Sequence, residues 1–288
     1  MADAGPAKDP GLPLTVLRGR SNLALRVASS LVLAPLAIGA AYLGGVPFLA
    51  FWFLAALGVL WEWDVLVCGH DRNPVLTLGV LALAGACAFA LFGHPGFALL
   101  FIALGALAIA ALVSRVHRGW RSAGVVYAGA MLMAPVLLRD DAALGFVTLL
   151  FLFAVVWATD IAAYFGGRAF GGPKLMPKVS PNKTWSGAIC GAAAAIAGGC
   201  AVARLTGIDN LAAVGVLALL LSIVSQAGDL FESALKRRFA AKDAGNLLPG
   251  HGGLMDRLDG FVAAAAAAAL IGAAHGGLDN PTRGLMVW

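Results

Sequence analysis

Residues 144–165 read LGFVTLLFLFAVVWATDIAAYF, an apolar run long enough to cross a bilayer as a single helix. Such a crossing needs about 20 apolar residues. The one acid in the run, Asp160, lies near its end, where an ionisable side chain is unfavourable and is therefore a functional candidate. Eight more apolar runs lie on either side of it. They fall near 23–43, 46–61, 75–92, 95–113, 124–138, 186–203, 211–227 and 260–275.

The composition of the whole chain leads to the same class of protein. Of its 288 residues, 60% are hydrophobic and only 12% are charged, whereas soluble domains carry about 25% charged residues. Backbone polar groups in lipid must be satisfied within each segment, so the runs have to be helices. We therefore predict an all-α, polytopic integral membrane protein with about nine transmembrane helices. The four cysteines are scattered and show no metal-ligand spacing.

The distribution of basic residues gives the orientation. With a cytoplasmic N-terminus and nine crossings, every one of the 20 lysines and arginines except Arg139, Arg204 and Arg283 falls on the cytoplasmic side. This is the bias expected of membrane proteins, and it explains the net charge of +5 without a nucleic acid partner. The sequence thus predicts a multi-pass protein of the inner (plasma) membrane, with its N-terminus inside and its C-terminus outside.

The same count organises the chain into segments. The two long polar loops fall on the cytoplasmic face, so they can form one site there. The predicted segments are a flexible tail at 1–22, N-terminal transmembrane helices at 23–143, a catalytic transmembrane region at 144–275 with cytoplasmic loops at 166–185 and 228–259, and a C-terminal tail at 276–288.

The second loop contains SALKRRFAAKDAGNLLPGHGGLMDRLD, Ser233 to Asp259, a concentration of charge and glycine in an apolar chain. Asp256 and Asp259 are three residues apart, so a helix would project both carboxylates from one face. Simple capping of a helix N-terminus is the alternative. However, Asp229 lies at the cytoplasmic end of the preceding span, and three carboxylates brought together call for a cation. Oxygen ligands of this kind favour Mg²⁺.

Glycines and basic residues of the same loop suit phosphate binding. Gly250, Gly252 and Gly253 surround His251, and such turns let backbone N–H groups approach phosphate oxygens. A plain turn is the alternative. Lys236 and Lys242 are candidate phosphate ligands, although basic residues here could also hold the loop against anionic lipid headgroups.

The segment that contains the first loop, Thr159 to Gly187, is also basic and is interleaved with hydroxyl and amide side chains. Tyr164 lies one turn after Asp160, and Asn182 and Lys183 follow a proline-stiffened stretch. A solvated basic loop that merely obeys the positive-inside bias is the alternative.

These two segments resemble the phosphatidate cytidylyltransferase (CDP-diacylglycerol synthase) family over about residues 159–275. The C-terminal signature is similar to Ser233, Lys236-Arg237, Lys242-Asp243, Gly245, Pro249, His251-Gly252-Gly253, Asp256-Arg257 and Asp259. The earlier signature is similar to Asp160, Tyr164, Gly166, Ser180-Pro181-Asn182-Lys183-Thr184-Trp185 and Gly187. Ser186 departs from the family, whose members often have Glu there.

The resemblance implies transfer of a cytidylyl group from CTP to phosphatidate, with a divalent metal, Mg²⁺ or Mg²⁺ with a second cation. It assigns catalysis to Lys236 and three aspartates, Asp229, Asp256 and Asp259, which would also bind the metal. It further suggests a homodimer in the lipid bilayer, although no residue of the chain shows one. Substrate-binding positions carried over are Asp160, Asn182, Lys183, Ser233, Arg237, Lys242, His251, Gly252, Gly253 and Arg257.

Two other functions fit the sequence less well. A transporter would place ionisable residues at mid-membrane around broken helices, whereas most of these spans lack central charges. A CDP-alcohol phosphatidyltransferase would carry four spaced aspartates, and only Asp256-x-x-Asp259-Gly260 matches that pattern.

Overall fold

The computed structural model describes residues 32–69, 74–113, 117–245, 247 and 252–287. Within these residues the chain forms ten helices and one hairpin. The helices are α1 (Val32–Leu43), α2 (Gly45–Cys68), α3 (Pro74–Leu91), α4 (Pro95–Leu112), α5 (Arg118–Arg139), α6 (Gly145–Phe170), α7 (Trp185–Leu205), α8 (Leu211–Arg238), α9 (Met255–Gly276) and α10 (Pro281–Met286). The hairpin pairs β1 (Lys174–Met176) with β2 (Ser180–Thr184).

The helical membrane-protein class is confirmed. Seven of the described helices, α2 and α4 to α9, are long and apolar enough to cross a membrane, while α3 and the described part of α1 are shorter. Large apolar side chains such as Leu54, Leu107 and Leu270 are more than half exposed on their surfaces. A water-soluble protein would bury such a surface, so these faces are suited to lipid.

Several helices extend beyond the apolar runs that predicted them. α8 continues to Arg238 and α9 begins at Met255, so the expected loop over 228–259 is helical at both ends. α6 continues to Phe170, and the remainder of the expected loop at 166–185 is mostly the hairpin. The C-terminal tail includes α10, which packs on α9. Hydropathy missed these additional helical turns because they contain polar residues and lie beyond the apolar stretches.

The helix ends sort onto two sides of the bundle. On one side, Arg139 at the end of α5 donates to the carbonyl of Ala41 at the end of α1, at 2.6 Å. There too, Arg283 of α10 pairs with Asp141 before α6, at 2.6 Å. The ends of α6 and α8, the hairpin and the start of α9 lie together on the other side, where the candidate site is found.

Aromatic rings join α2, α6 and α9 in the core. Phe261 of α9 stacks on Trp52 of α2, with ring centroids 4.9 Å apart, and on Phe153 of α6 at 5.4 Å. Phe153 in turn stacks on Trp157 at 5.1 Å. This column of rings fixes the start of α9 relative to helices that are distant in sequence.

Candidate functional site

One cavity, of about 1390 Å³, collects most of the charged residues singled out above. Its polar part is built by the ends of α6, α8 and α9 and by β2. Its other walls are apolar and come from α1, α2 and α6, with Leu33, Phe51, Trp157 and Ile161 among them. The same cavity therefore joins a charged pocket to apolar walls that suit lipid.

Three carboxylates meet between α8 and α9. Asp229 and Glu232 are three residues apart on α8 and so share one face, and Asp259 approaches from α9. One carboxylate oxygen of each lies within 4.8 Å of the other two. Glu232 is only 2% exposed, and within the described chain its Oε1 atom is buried with no hydrogen-bond partner.

Glycines allow α8 and α9 to approach closely enough for this cluster. A side-chain carbon on Gly228 would lie 2.8 Å from the Asp259 carbonyl oxygen, and one on Gly260 would lie 2.6 Å from Ser225 Oγ. Both distances are below van der Waals contact, so any larger residue would push the helices apart. The separation of the two helices, and with it the spacing of the carboxylates, depends on these two positions.

Lys236 links this cluster to Asp256. Its Nζ atom lies 2.5 Å from Asp256 Oδ1 and 3.0 Å from Glu232 Oε2. The other oxygen of Asp256 accepts hydrogen bonds from the backbone N–H groups of Gly253, at 2.8 Å, and Ala244, at 3.0 Å. Asp256 therefore joins the glycine-rich turn to α8, and Gly252 in that turn has a φ of +80° that favours glycine.

A fifth acid, Glu62 of α2, lies behind the same turn. It is fully buried, and its two oxygens accept hydrogen bonds from the backbone N–H groups of Leu254, at 2.8 Å, and Met255, at 2.7 Å. These two N–H groups lie at the start of α9, where the helix itself provides no carbonyl group to accept their hydrogen bonds. A carbon on Gly245 would meet Glu62 Oε1 at 2.6 Å, and one on Gly253 would meet its Oε2 at 2.7 Å.

The hairpin brings the second predicted segment to the cavity. Lys183 of β2 forms an ion pair with Asp229, and Asn182 and Asp160 line the cavity beside it. The Thr184 hydroxyl accepts a hydrogen bond from Gly187 N–H at 3.1 Å and so caps α7. Hairpin and helix are thereby held in fixed relation.

The cavity contains eight of the sequence-predicted site residues: Asp160, Asn182, Lys183, Asp229, Lys236, Asp256, Arg257 and Asp259. Ser233, Arg237, Lys242, Gly252 and Gly253 are not among its lining residues, although the two glycines contact Asp256. Lys242 and Arg237 are exposed. His251 lies outside the described residues. Of the three aspartates expected to bind a metal, Asp229 and Asp259 lie in the acidic cluster, whereas Asp256 pairs with Lys236.

Sequence reasoning missed Glu62 and Glu232. Each carried a signal. Glu62 is an ionisable residue at the end of an apolar run, where such a residue is a functional candidate by default. Glu232 follows Asp229 by three residues, the spacing that places both on one helical face. The apolar run ends at residue 227, so the sequence predicts a loop at Glu232 and not a continuing helical face.

The acidic cluster fits a hard divalent cation. It offers carboxylate oxygens from three residues, and Glu232 Oε1 is a buried acceptor that no described residue satisfies. Mg²⁺ uses one or two carboxylates and fills its remaining positions with water and substrate phosphates. Two lysines, Lys183 and Lys236, lie beside four carboxylates, so the negative charges exceed the positive charges by two. The four carboxylates are those of Asp229, Glu232, Asp256 and Asp259.

The fold and the site together define a class of protein. It is a helical membrane protein with a cavity in which clustered acids and lysines lie beside apolar walls. The chain belongs to the cytidylyltransferase family, whose sequence profile matches residues 24–274. The match includes the N-terminal helices, which the two sequence signatures do not cover.

Relatives extend the match over nearly the whole chain. The chain is 46% identical to the phosphatidate cytidylyltransferase of Brucella suis biovar 1 (strain 1330), covering 91% of this chain and 97% of the relative. It is 28% identical to a protein of the same name from Rickettsia bellii (strain RML369-C), covering 84% and 87%.

Proposed function

We propose that this protein transfers a cytidylyl group from CTP to phosphatidate, forming CDP-diacylglycerol and releasing pyrophosphate. Bacterial relatives of the chain are named for this activity. The observation that carries the proposal is the joint cavity, in which a pocket of acids and lysines opens onto apolar walls. A reaction between a water-soluble nucleotide and a lipid phosphate needs both surfaces in one site.

The reaction needs charge stabilisation rather than a general base. Phosphatidate is a phosphate monoester with a second pKa of about 6, so near neutral pH it is already largely a dianion. One of its oxygens forms a bond to the α-phosphorus of CTP while the bond from that phosphorus to the bridging oxygen breaks, and pyrophosphate leaves. Positioned cationic groups stabilise the charge that develops. Lys236, Lys183 and Arg257 supply such groups.

Asp229, Glu232 and Asp259 would hold a divalent cation, for which Mg²⁺ is the proposed species. A bound cation of this kind neutralises the charge on the triphosphate and its leaving group. Asp256 orients Lys236 toward the cavity through the contact at 2.5 Å and holds the glycine-rich turn through Gly253. Nucleotide phosphates would bind on this side, at Lys236 and the turn.

The lipid would bind beside Asp160, Asn182 and Lys183, which line the same cavity as the apolar residues Leu33 and Phe51. In this arrangement the phosphate of phosphatidate faces the polar pocket while its acyl chains remain beside α1, α2 and α6. In this arrangement CTP enters the cavity from water, whereas phosphatidate enters it from the membrane.

We also propose the finer topology. Nine crossings, with the N-terminus and the site on the cytoplasmic side of the inner membrane, are supported by the distribution of basic residues and by the way helix ends divide between two sides of the bundle. A homodimer is suggested by the family resemblance alone.

The direct test uses purified protein in detergent with phosphatidate, Mg²⁺ and radiolabelled CTP. Labelled CDP-diacylglycerol is expected, and it should not form when EDTA removes the cation. In Asp256→Asn, turnover should be abolished at unchanged membrane expression, because Lys236 and the turn lose their common partner. If no CDP-diacylglycerol forms while an alcohol acceptor is converted with CDP-diacylglycerol as donor, the protein is a different headgroup transferase.

A further inference from the structure

Glu62 lies on a helix outside both sequence signatures, yet it contacts the backbone of the C-terminal signature between Gly253 and Asp256. Its carboxylate bonds the N–H groups of Leu254 and Met255, and Met255 immediately precedes Asp256. We infer that Glu62 is a positioning residue for the reaction, which fixes Gly252 and Gly253, the described end of the glycine-rich turn, and the start of α9 so that CTP can bind. This role rests on the proposed function.

Two glycines beside Glu62, Gly245 and Gly253, support a specific role for this carboxylate. The three atoms nearest to a carbon built on Gly245 all belong to Glu62, at 2.6, 2.8 and 2.8 Å. Gly253 lies between two carboxylates, because a carbon there would meet Glu62 Oε2 at 2.7 Å and Asp256 Oδ2 at 3.0 Å. The lack of a side chain at both positions is thus required by the approach of Glu62.

Charge on Glu62 matters as well as shape. A carboxylate has only acceptor oxygens and can accept a hydrogen bond at each, whereas a glutamine amide has one acceptor and one donor group. In Glu62→Gln, one of the two N–H groups would therefore face another N–H group in a buried site. Hydrogen bonds to charged groups are among the stronger ones in proteins, so the turn should lose its fixed position even though the side chain keeps its size.

The effect should fall on one substrate. The turn, Asp256 and Lys236 form the proposed nucleotide side, whereas Asp160, Asn182 and Lys183 belong to α6 and β2. Glu62→Gln should raise the KM for CTP by about tenfold to a hundredfold, a range set by one buried charged hydrogen bond. The KM for phosphatidate should change by less than about threefold. A residue that served stability alone would lower the amount of active enzyme and leave both KM values unchanged.

A matched control lies on the same helix. Asp64 is also buried, two residues after Glu62, and Asp64→Asn should leave the KM for CTP unchanged. Wild-type enzyme must form CDP-diacylglycerol in the same assay. If it does not, the proposed function fails; if it does and Glu62→Gln has a wild-type KM for CTP, the positioning role of Glu62 is wrong.

A double-variant cycle tests the contact itself and does not depend on turnover. Equilibrium binding of CTP in the presence of Mg²⁺ would be measured for Gly245→Ala, Glu62→Ala and the pair. Gly245→Ala should weaken binding about tenfold or more in wild-type protein, and by less than about threefold in Glu62→Ala, where the clashing atoms are gone. Equal effects in both backgrounds would overturn the inference, as would normal binding in Glu62→Ala.

Discussion

Glu232 and Lys236 lie one helical turn apart on α8, and their contact at 3.0 Å leaves the second oxygen of Glu232 without a described partner. Lys236 also binds Asp256, so one ammonium group is shared between two carboxylates. Asp229 is paired with Lys183, and Asp259 has no lysine of its own among the described salt bridges. The uncompensated charge is thus concentrated on Glu232 and Asp259, at the point where we place the cation.

Glu232→Gln is the sharpest test of that placement. The change keeps the shape of the side chain but removes one negative charge from the cation site. We expect the Mg²⁺ concentration needed for half-maximal CDP-diacylglycerol formation to rise by at least about tenfold. Asp209→Asn, an exposed acid between α7 and α8, is the control and should not shift it. An unchanged Mg²⁺ titration in Glu232→Gln would exclude Glu232 as a ligand.

At the scale of elements, α6 and α7 form the most extensive helix pair among the described residues, and small residues make their approach possible. A side-chain carbon on Gly191 would lie 2.9 Å from the backbone oxygen of Thr159, and one on Gly187 would lie 2.7 Å from that of Ala163. Such close packing is typical of membrane helices. Asp160 on α6 and Lys183 just before α7 keep their spacing only while these helices remain in contact.

Gly191→Ala should therefore destabilise the protein, because the backbone oxygen of Thr159 cannot move aside as a flexible side chain would. We expect a loss of about 1–3 kcal/mol, seen as a lower thermal unfolding midpoint in detergent. Gly96→Ala on α4 has open space around it and is the matched control. It should be neutral or stabilising by up to about 1 kcal/mol. Equal unfolding midpoints for the two variants would contradict the close contact.

The turn before α6 gives a pH-dependent test. Asp141 accepts hydrogen bonds from Leu144 N–H, at 2.8 Å, and Ala143 N–H, and it pairs with Arg283 of α10. Those contacts lower the pKa of Asp141, with the Leu144 bond as the largest cause. A folded pKa below the unfolded value of about 3.9 means that these contacts stabilise the protein above that pH. Their contribution is lost as the pH falls through the folded pKa.

Asp141→Asn should accordingly be less stable than wild type at pH 7, by about 0.5–1.5 kcal/mol. The difference should shrink as the pH falls below about 3.9, because Asp141 is then protonated first in the unfolded chain and, at still lower pH, in the folded protein. Asp140→Asn, at the exposed neighbouring position, should show neither effect. Thermal unfolding of the three proteins between pH 3.5 and 7 would measure this, and a gap that stays constant with pH would refute the assignment.

For the whole molecule, the arrangement of helix ends predicts which surfaces face the cytoplasm. Lys178 lies exposed in the hairpin on the site side, and Asp279 lies exposed beyond α9 on the other. In a variant whose four cysteines are replaced, a membrane-impermeant maleimide should label Asp279→Cys from outside intact cells. Lys178→Cys should react only after the cells are opened. The opposite pattern would reverse the proposed orientation.

The sequence was sufficient for the class of fold and for much of the site. Hydropathy located the helices because lipid-facing segments need long apolar runs, and the two signatures located Asp160, Lys183 and Asp259 on one cavity. The apolar runs are shorter than α8 and α9, because polar residues form the last turns of α8 and the first turn of α9. The sequence therefore predicts a loop at Glu232. The hairpin was missed because its short strands are polar and contain Pro181. The partners of Glu62 could be identified only from the tertiary structure, since they lie 192 and 193 residues away in sequence.

That separation has a consequence for how the protein is made. At about 5–20 residues per second, the ribosome needs about 10–40 s to add the 192 residues between Glu62 and Leu254. During that interval the acid on α2 lacks the two backbone donors that it has in the finished protein. A nascent chain must therefore keep Glu62 solvated, protonated or otherwise shielded until α9 is inserted. Assembly of the nucleotide side is thus a late event in biogenesis, and a chain that stalls before α9 would retain most of its helices without it.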